Sequence, residues 1–203
     1  NMNYAARSDG ELIEEYRRGR ALAFDELVRR YQEPLYGFLY RFTGDSVLAN
    51  DLFQETFLRI IQRLDGYVEG GHFKSWLYQV ARNLAMDALR RRQLERGIFN
   101  SPPNAHSDDT EQDSDIQDGI ADPLSAPDVL LENSELGAKL TGAVAILPDD
   151  QREVVLLKYQ GELTFREIAE ITGVSINTVT GRMRYATEKL RKHLAEFARE
   201  IST

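Results

Sequence analysis

Over the first 96 residues apolar positions recur at intervals of three and four, and none alternates as a half-buried strand would. Ser8-Asp9-Gly10-Glu11 fits a capping box, so a helix is predicted to begin there. From Ala21 to Phe42 two apolar sets (Phe24, Leu27, Val28, Tyr31 and Leu35, Phe38, Leu39, Phe42) flank Pro34, which predicts a kink or short break near Gln32. Gly44 ends that segment. Ser46 is expected to cap a third helix with the stripe Leu48, Leu52, Phe53, Phe57, Ile60, Ile61 and Leu64, closed by Gly66. Three glycines between Gly66 and His72 predict a mobile or irregular loop. A fourth helix is expected from Phe73 to Arg96, with the stripe Trp76, Leu77, Val80, Ala81, Leu84, Ala88 and Leu89, ending in Arg90-Arg91-Arg92.

Residues 97–127 are rich in Pro, Ser, Asp, Asn and Gln, a composition that buries too little surface to offset the entropy of ordering. A flexible linker is expected there. Helical pattern resumes at Val129-Leu130-Leu131 and runs to Leu147. Pro148 suits the first turn of the next helix, which carries Val154, Val155, Leu156, Leu157 and Tyr159 and is broken by Gly161. The expected fold class is all-α, with two small helical domains, 1–96 and 128–203, joined by a flexible acidic linker over 97–127.

The strongest local signal lies near the C-terminus. Thr164-Phe165-Arg166-Glu167 is a second capping box and opens a short helix over Phe165–Ile171. Thr172-Gly173-Val174-Ser175 makes a tight turn, and Ser175 caps a long helix from Ile176. Ala169 is small enough for a close crossing, Gly173 supplies the positive φ of the turn, and Ile168, Val174 and Val179 fill the wedge. That spacing is the spacing of a DNA-binding helix-turn-helix. The exposed face of the second helix offers Asn177, Thr178, Thr180, Arg182 and Arg184, then Lys189, Arg191 and Lys192, short polar groups ahead of basic ones. Taken singly these are ordinary solvated residues; as a set they favour DNA.

Taken as a total, a net charge of −8 over 203 residues argues against nucleic acid as a partner. Its distribution reverses that. Ten acidic residues and no Lys or Arg lie between Gly97 and Gly137, which leaves 23 acidic against 25 basic residues elsewhere. The chain has no cysteine, so disulfides and thiolate metal sites are excluded. No apolar run approaches the roughly 20 residues of a membrane span, and Asn1-Met2-Asn3-Tyr4 lacks the pattern of a secretory signal, with Met2 the expected natural start. A cytoplasmic location is expected. Neither catalysis nor a cofactor is expected: His72, His106 and His193 sit in unrelated segments, the Asp run at 108–118 lacks the glycine and glutamate of a calcium loop, and no phosphate-binding or nucleophile motif occurs.

The segment Leu147-Pro148-Asp149-Asp150-Gln151-Arg152-Glu153-Val154, followed by the helix-turn-helix, resembles the last domain of bacterial sigma factors. Asp51-Leu52-Phe53-Gln54-Glu55-Thr56-Phe57, Phe73-Lys74-Ser75-Trp76-Leu77 and Ala81-Arg82-Asn83-Leu84-Ala85-Met86-Asp87 resemble their second domain. Two such domains with nothing recognisable between them are similar to the extracytoplasmic-function group. The resemblance implies a transcription initiation factor that binds core RNA polymerase and promoter DNA, with an anti-sigma factor as a further partner. It implies no small-molecule substrate and no membrane insertion.

By that resemblance Asp51, Gln54, Glu55 and Arg59 would dock on the coiled-coil clamp helices of the polymerase's largest subunit. The loop Gly66–His72 would capture a base flipped from the minus-ten element, with Asn83 lining the pocket as both donor and acceptor. Tyr67, His72 and Phe73 would stack on unpaired bases, although helical spacing alone places Phe73 and Trp76 in the core. Lys74 and Trp76 belong to the same minus-ten surface, and Arg82, Arg90, Arg91 and Arg92 would meet phosphates. The minus-thirty-five element would be read by Asn177, Thr178, Thr180, Gly181, Arg182, Arg184 and Tyr185. Here the chain departs from the family pattern, which commonly has basic or hydroxyl residues at Thr180 and Gly181 and Arg at Tyr185 and Thr187. Gly181 suggests a bend or a close backbone approach. The acidic linker, longer than the family's, is read equally as a nucleic-acid mimic and as a solubilising tether. Two other functions stay open: an adaptor that binds an anti-sigma factor in place of a true sigma factor, and a conventional helix-turn-helix regulator.

Overall fold

The computed structural model describes residues 3–68, 70–95 and 141–201. The linker over 97–127 and the helical pattern from Val129 lie outside them, apart from helical residues 141–145. The α-helices are α1 (Asp9–Arg17), α2 (Ala21–Thr43), α3 (Ser46–Arg63), α4 (Phe73–Glu95), α5 (Asp149–Tyr159), α6 (Phe165–Thr172) and α7 (Ile176–Ile201), with 3₁₀ turns at Tyr4–Ala6 and Leu64–Gly66. No strand occurs among the described residues.

Local chemistry sets the helix ends. At α1 the Ser8 hydroxyl accepts from the Glu11 N–H, and the Glu11 carboxylate accepts from the Ser8 N–H at 2.8 Å. The cap of α3 differs from expectation. Asp45, not Ser46, accepts from the Leu48 N–H at 2.9 Å, because only Asp45 has the extended backbone that leaves its side chain outside the first turn. Pro148 likewise stands just before α5 as its cap rather than inside the first turn.

Of the kink or short break expected near Gln32, the break is absent. α2 runs unbroken through Pro34. Its buried positions 24, 27, 31, 35, 38 and 42 stay in one phase across the proline, so one continuous stripe faces the core throughout. Asp9 also accepts from the Arg30 guanidinium and the Tyr31 hydroxyl, which ties the turn before the proline to α1.

In the N-terminal half α2 is the central helix, packed on α1, α3 and α4, while α3 also packs on α4. Phe38 stacks on Phe42 at 5.7 Å and meets Tyr78 edge-on at 5.4 Å. A buried carboxylate, Glu15, is surrounded by Arg7, Arg18 and Arg20, which satisfies its charge without solvent. In the C-terminal half α5, α6 and α7 pack pairwise. The two halves also meet, α2 against α5 and α4 against α6, and their apolar residues form one continuous core.

Candidate nucleic-acid interface

α3 presents a face that the core does not use. Asp51 and Gln54 are exposed and Glu55 is half-buried, opposite the buried Phe57 and half-buried Phe53. Arg59 Nε donates to Glu55 Oε1 at 2.8 Å, an i, i+4 pair that orients both side chains. Two further residues share this face and were missed from sequence, Val47 and Leu58, which are 72% and 55% exposed. Leu58 falls four residues after Gln54, so its register on the polar side was the available signal.

The loop before α4 is anchored at its start. The Arg17 Nη2 of α1 donates to the carbonyls of Leu64 (2.7 Å), Asp65 and Tyr67. Gly71 has φ +75°, the left-handed conformation that brings the chain into α4. Tyr67 lies flat on Trp76, centroids 4.9 Å apart and 11° between planes, while Phe73 meets both edge-on. Phe73 itself is 1% exposed and packs on Tyr31, so its ring belongs to the core. Trp76 is half-buried, and His72 is exposed.

Along α4 the residues divide between two faces. His72, Trp76, Gln79, Asn83 and Arg90 follow one another at helical spacing on the outer side, with Gln79, Asn83 and Arg90 exposed. Asn83 Oδ1 accepts from Arg82 Nη1 at 3.3 Å. Arg91 is exposed, whereas Arg92 is held by Asp45 at 2.8 Å. Hydrogen bonds from Leu48 N–H and Arg92 keep the Asp45 carboxyl below its ordinary range. Lys74, Ser75, Tyr78 and Arg82 lie on another side, against the C-terminal half. Lys74 Nζ pairs with Glu162 at 3.1 Å, Ser75 Oγ donates to Glu167, the Tyr78 hydroxyl donates to the Gln160 carbonyl at 3.0 Å, and Arg82 Nε donates to Glu153 Oε1. Arg82 was expected to face phosphate; here it is engaged by a carboxylate.

The helix-turn-helix has the expected local structure. Thr164 and Glu167 form the capping box, Gly173 has φ +72° and donates to the Ala169 carbonyl at 2.9 Å, and Ser175 Oγ accepts from the Thr178 N–H at 3.1 Å. Ile168 and Val179 are fully buried. On α7, Asn177, Thr178, Arg184 and Tyr185 are exposed, while Thr180, Gly181 and Arg182 are half-buried. The Thr180 hydroxyl donates back to the Ile176 and Asn177 carbonyls, and Arg182 Nε reaches Asp150 Oδ2 at 3.2 Å. Arg184 lies over the Tyr185 ring, 5.2 Å from its centroid. A side chain at Gly181 would meet nothing within 4 Å, so packing within the chain does not demand glycine there.

Comparisons with known proteins agree with this arrangement. The family described as Sigma-70 region 2 matches residues 27–95, and Sigma-70, region 4 matches residues 138–190. The ECF RNA polymerase sigma factor SigW of Bacillus subtilis is 30% identical over 91% of this chain and 95% of its own. The fold is shared with CnrH, solved in complex with the cytosolic domain of CnrY (TM-score 0.63, 22% identity, 93% of this chain and 97% of that one). It is also shared with the sigma factor RpoE of Bartonella quintana, solved with the anti-sigma factor NepR (TM-score 0.61, 23% identity, 85% and 96%). The chain belongs to the extracytoplasmic-function group of bacterial RNA polymerase sigma factors.

Proposed function

We propose that this sigma factor docks on core RNA polymerase through the outer face of α3 and directs promoter recognition and melting with α4 and the helix-turn-helix. The observation that carries the reading is the stripe of exposed Asp51, Gln54 and Leu58 with half-buried Glu55, on a helix whose opposite side packs on the core. A carboxylate-bearing centre flanked by the exposed apolar Val47 and Leu58 suits a basic, partly apolar partner helix. The outer side of α4 takes the minus-ten strand. Tyr67 and Trp76 supply aromatic surface beside Asn83, whose amide reads a base edge, and Arg90 and Arg91 supply phosphate contacts. Asn177, Thr178, Arg184 and Tyr185 form the surface offered to the minus-thirty-five element. An anti-sigma protein is its expected antagonist, by analogy with the complex of RpoE and NepR.

The residues assigned to these contacts bind and position nucleic acid rather than perform chemistry, which supports a non-enzymatic role. No described helix is long and apolar enough to cross a membrane; a role at chromosomal promoters is what supports a cytoplasmic location. The docking assignment is tested by Asp51→Lys with Glu55→Lys. Both groups are outside the core, so the circular dichroism spectrum and melting should match the parent. Run-off transcription with core polymerase is expected to fall at least about tenfold, the loss of two interfacial charge contacts. Undiminished run-off would overturn the assignment.

A further inference from the structure

Arg17 is the last residue of α1, yet most of its contacts lie beyond the end of α3. Its Nη1 is held by Glu14 at 2.8 Å, which orients the guanidinium fork so that Nη2 meets the carbonyls of Leu64, Asp65 and Tyr67. A cation beside the last carbonyls of a helix is ordinary chemistry, and closing α3 accounts for the bond to Leu64. It does not account for the bond to Tyr67. That carbonyl lies past the 3₁₀ turn Leu64–Gly66, where the chain is already extended (φ −70°, ψ 124°), and the next residue, Val68, is 86% exposed. Arg17 therefore grips the loop at the point where it leaves the core.

The grip sets the direction of one side chain. The Tyr67 N–H donates to the Leu64 carbonyl at 3.2 Å and the Tyr67 carbonyl accepts from Arg17, so both peptide planes flanking Tyr67 are held. With φ and ψ fixed, only the side-chain torsions remain free to the ring, and stacking on Trp76 at 4.9 Å settles those. Arg17 itself is 23% exposed by side chain and both terminal nitrogens are engaged, so it offers little to phosphate. We infer that Arg17 is a positioning residue for minus-ten recognition: without touching the promoter, it holds Tyr67 in register on Trp76, so that the aromatic surface beside Asn83 is formed before DNA arrives. This rests on the minus-ten reading above. A platform assembled in the free protein avoids the ordering cost that loose rings would add on binding unpaired bases. Releasing the Tyr67 carbonyl restores rotation about ψ, and the ring then leaves the stack for part of the time. Lysine in place of arginine keeps the charge but not the planar fork, so it serves one carbonyl and not the set.

Trp76 is the only tryptophan of the chain, so its fluorescence reports the stack directly. In the free full-length protein Arg17→Ala is expected to raise acrylamide quenching of Trp76, with Arg17→Lys between it and the parent. Quenching equal to the parent in both variants would contradict the inference. Function is read as run-off with core polymerase in a double-variant cycle. Tyr67→Ala alone should lower run-off on the order of tenfold, the loss of one stacked base. Arg17→Ala should lower it comparably in the parent, but by less than about twofold in the Tyr67→Ala background, because Arg17 acts through that ring. A merely structural Arg17 costs the same in both backgrounds, and that result would overturn the inference while leaving the minus-ten assignment intact. Full run-off from Tyr67→Ala would instead sink the assignment of Tyr67 to the minus-ten surface, and the inference with it. Should Arg17→Ala lose its helical circular dichroism, Arg17→Lys carries the same cycle and is judged by the same outcomes.

Discussion

Glu167 joins two structures at one carboxylate. It closes the capping box of α6 through the Thr164 N–H and hydroxyl, both at 2.8 Å, and it accepts from Ser75 on α4. Burial pushes its pKa up, but the Ser75 and Thr164 hydrogen bonds outweigh that and hold it below the ordinary 4.5. A lowered carboxylate contributes stability that is whole above its unfolded value and is lost as pH falls through the folded one. Urea midpoints measured between about pH 5 and pH 3 should therefore fall less steeply in Ser75→Ala than in the parent. Parallel slopes would exclude the Ser75 contribution. Thr164→Ala removes the reciprocal cap and is expected to cost about 1 kcal/mol in denaturant unfolding. Both capping boxes were legible in the sequence, because a cap joins residues three apart. The roles of Arg17 and Arg82 were not, since their partners are 47 and 71 residues away and no spacing rule connects them.

Periodicity identified the helices, but Pro34 shows where a local rule yields to packing. The expected break did not occur, because residues 31 and 35 continue the same buried stripe and Asp9 clamps the preceding turn. The proline still lacks an N–H and crowds the preceding turn. Pro34→Ala is thus expected to stabilise α2 by roughly 1–3 kcal/mol, read from the urea midpoint; a lower midpoint would show that its ring packing matters more. Val154-Val155-Leu156-Leu157 carried a signal that was available and unread. Four successive apolar residues cover nearly the whole circumference of a helix, so α5 required a second partner beyond its own domain. In the helix-turn-helix, Gly173→Ala forces a side chain into φ +72° and should cost about 1–2 kcal/mol. Transcription from promoters that depend on the minus-thirty-five element should suffer most, and an unchanged melting curve would contradict the strained turn.

At the scale of the whole molecule, the acidity of the chain is concentrated in one segment, and the folded halves carry opposed charge where they meet. Order and class of the helices were readable from pattern and motif. The contact between the halves was not, because it depends on side chains from elements separated by the linker. It changes the meaning of Arg82, which meets the Glu153 carboxylate rather than standing free toward phosphate. The account as a whole stands on promoter-specific initiation. The most direct measurement reconstitutes core polymerase with this protein on fragmented genomic DNA and maps transcript starts. The account predicts discrete starts, absent with core polymerase alone, whose upstream sequences share two elements at fixed spacing. Starts no more specific than those of core polymerase alone would contradict it.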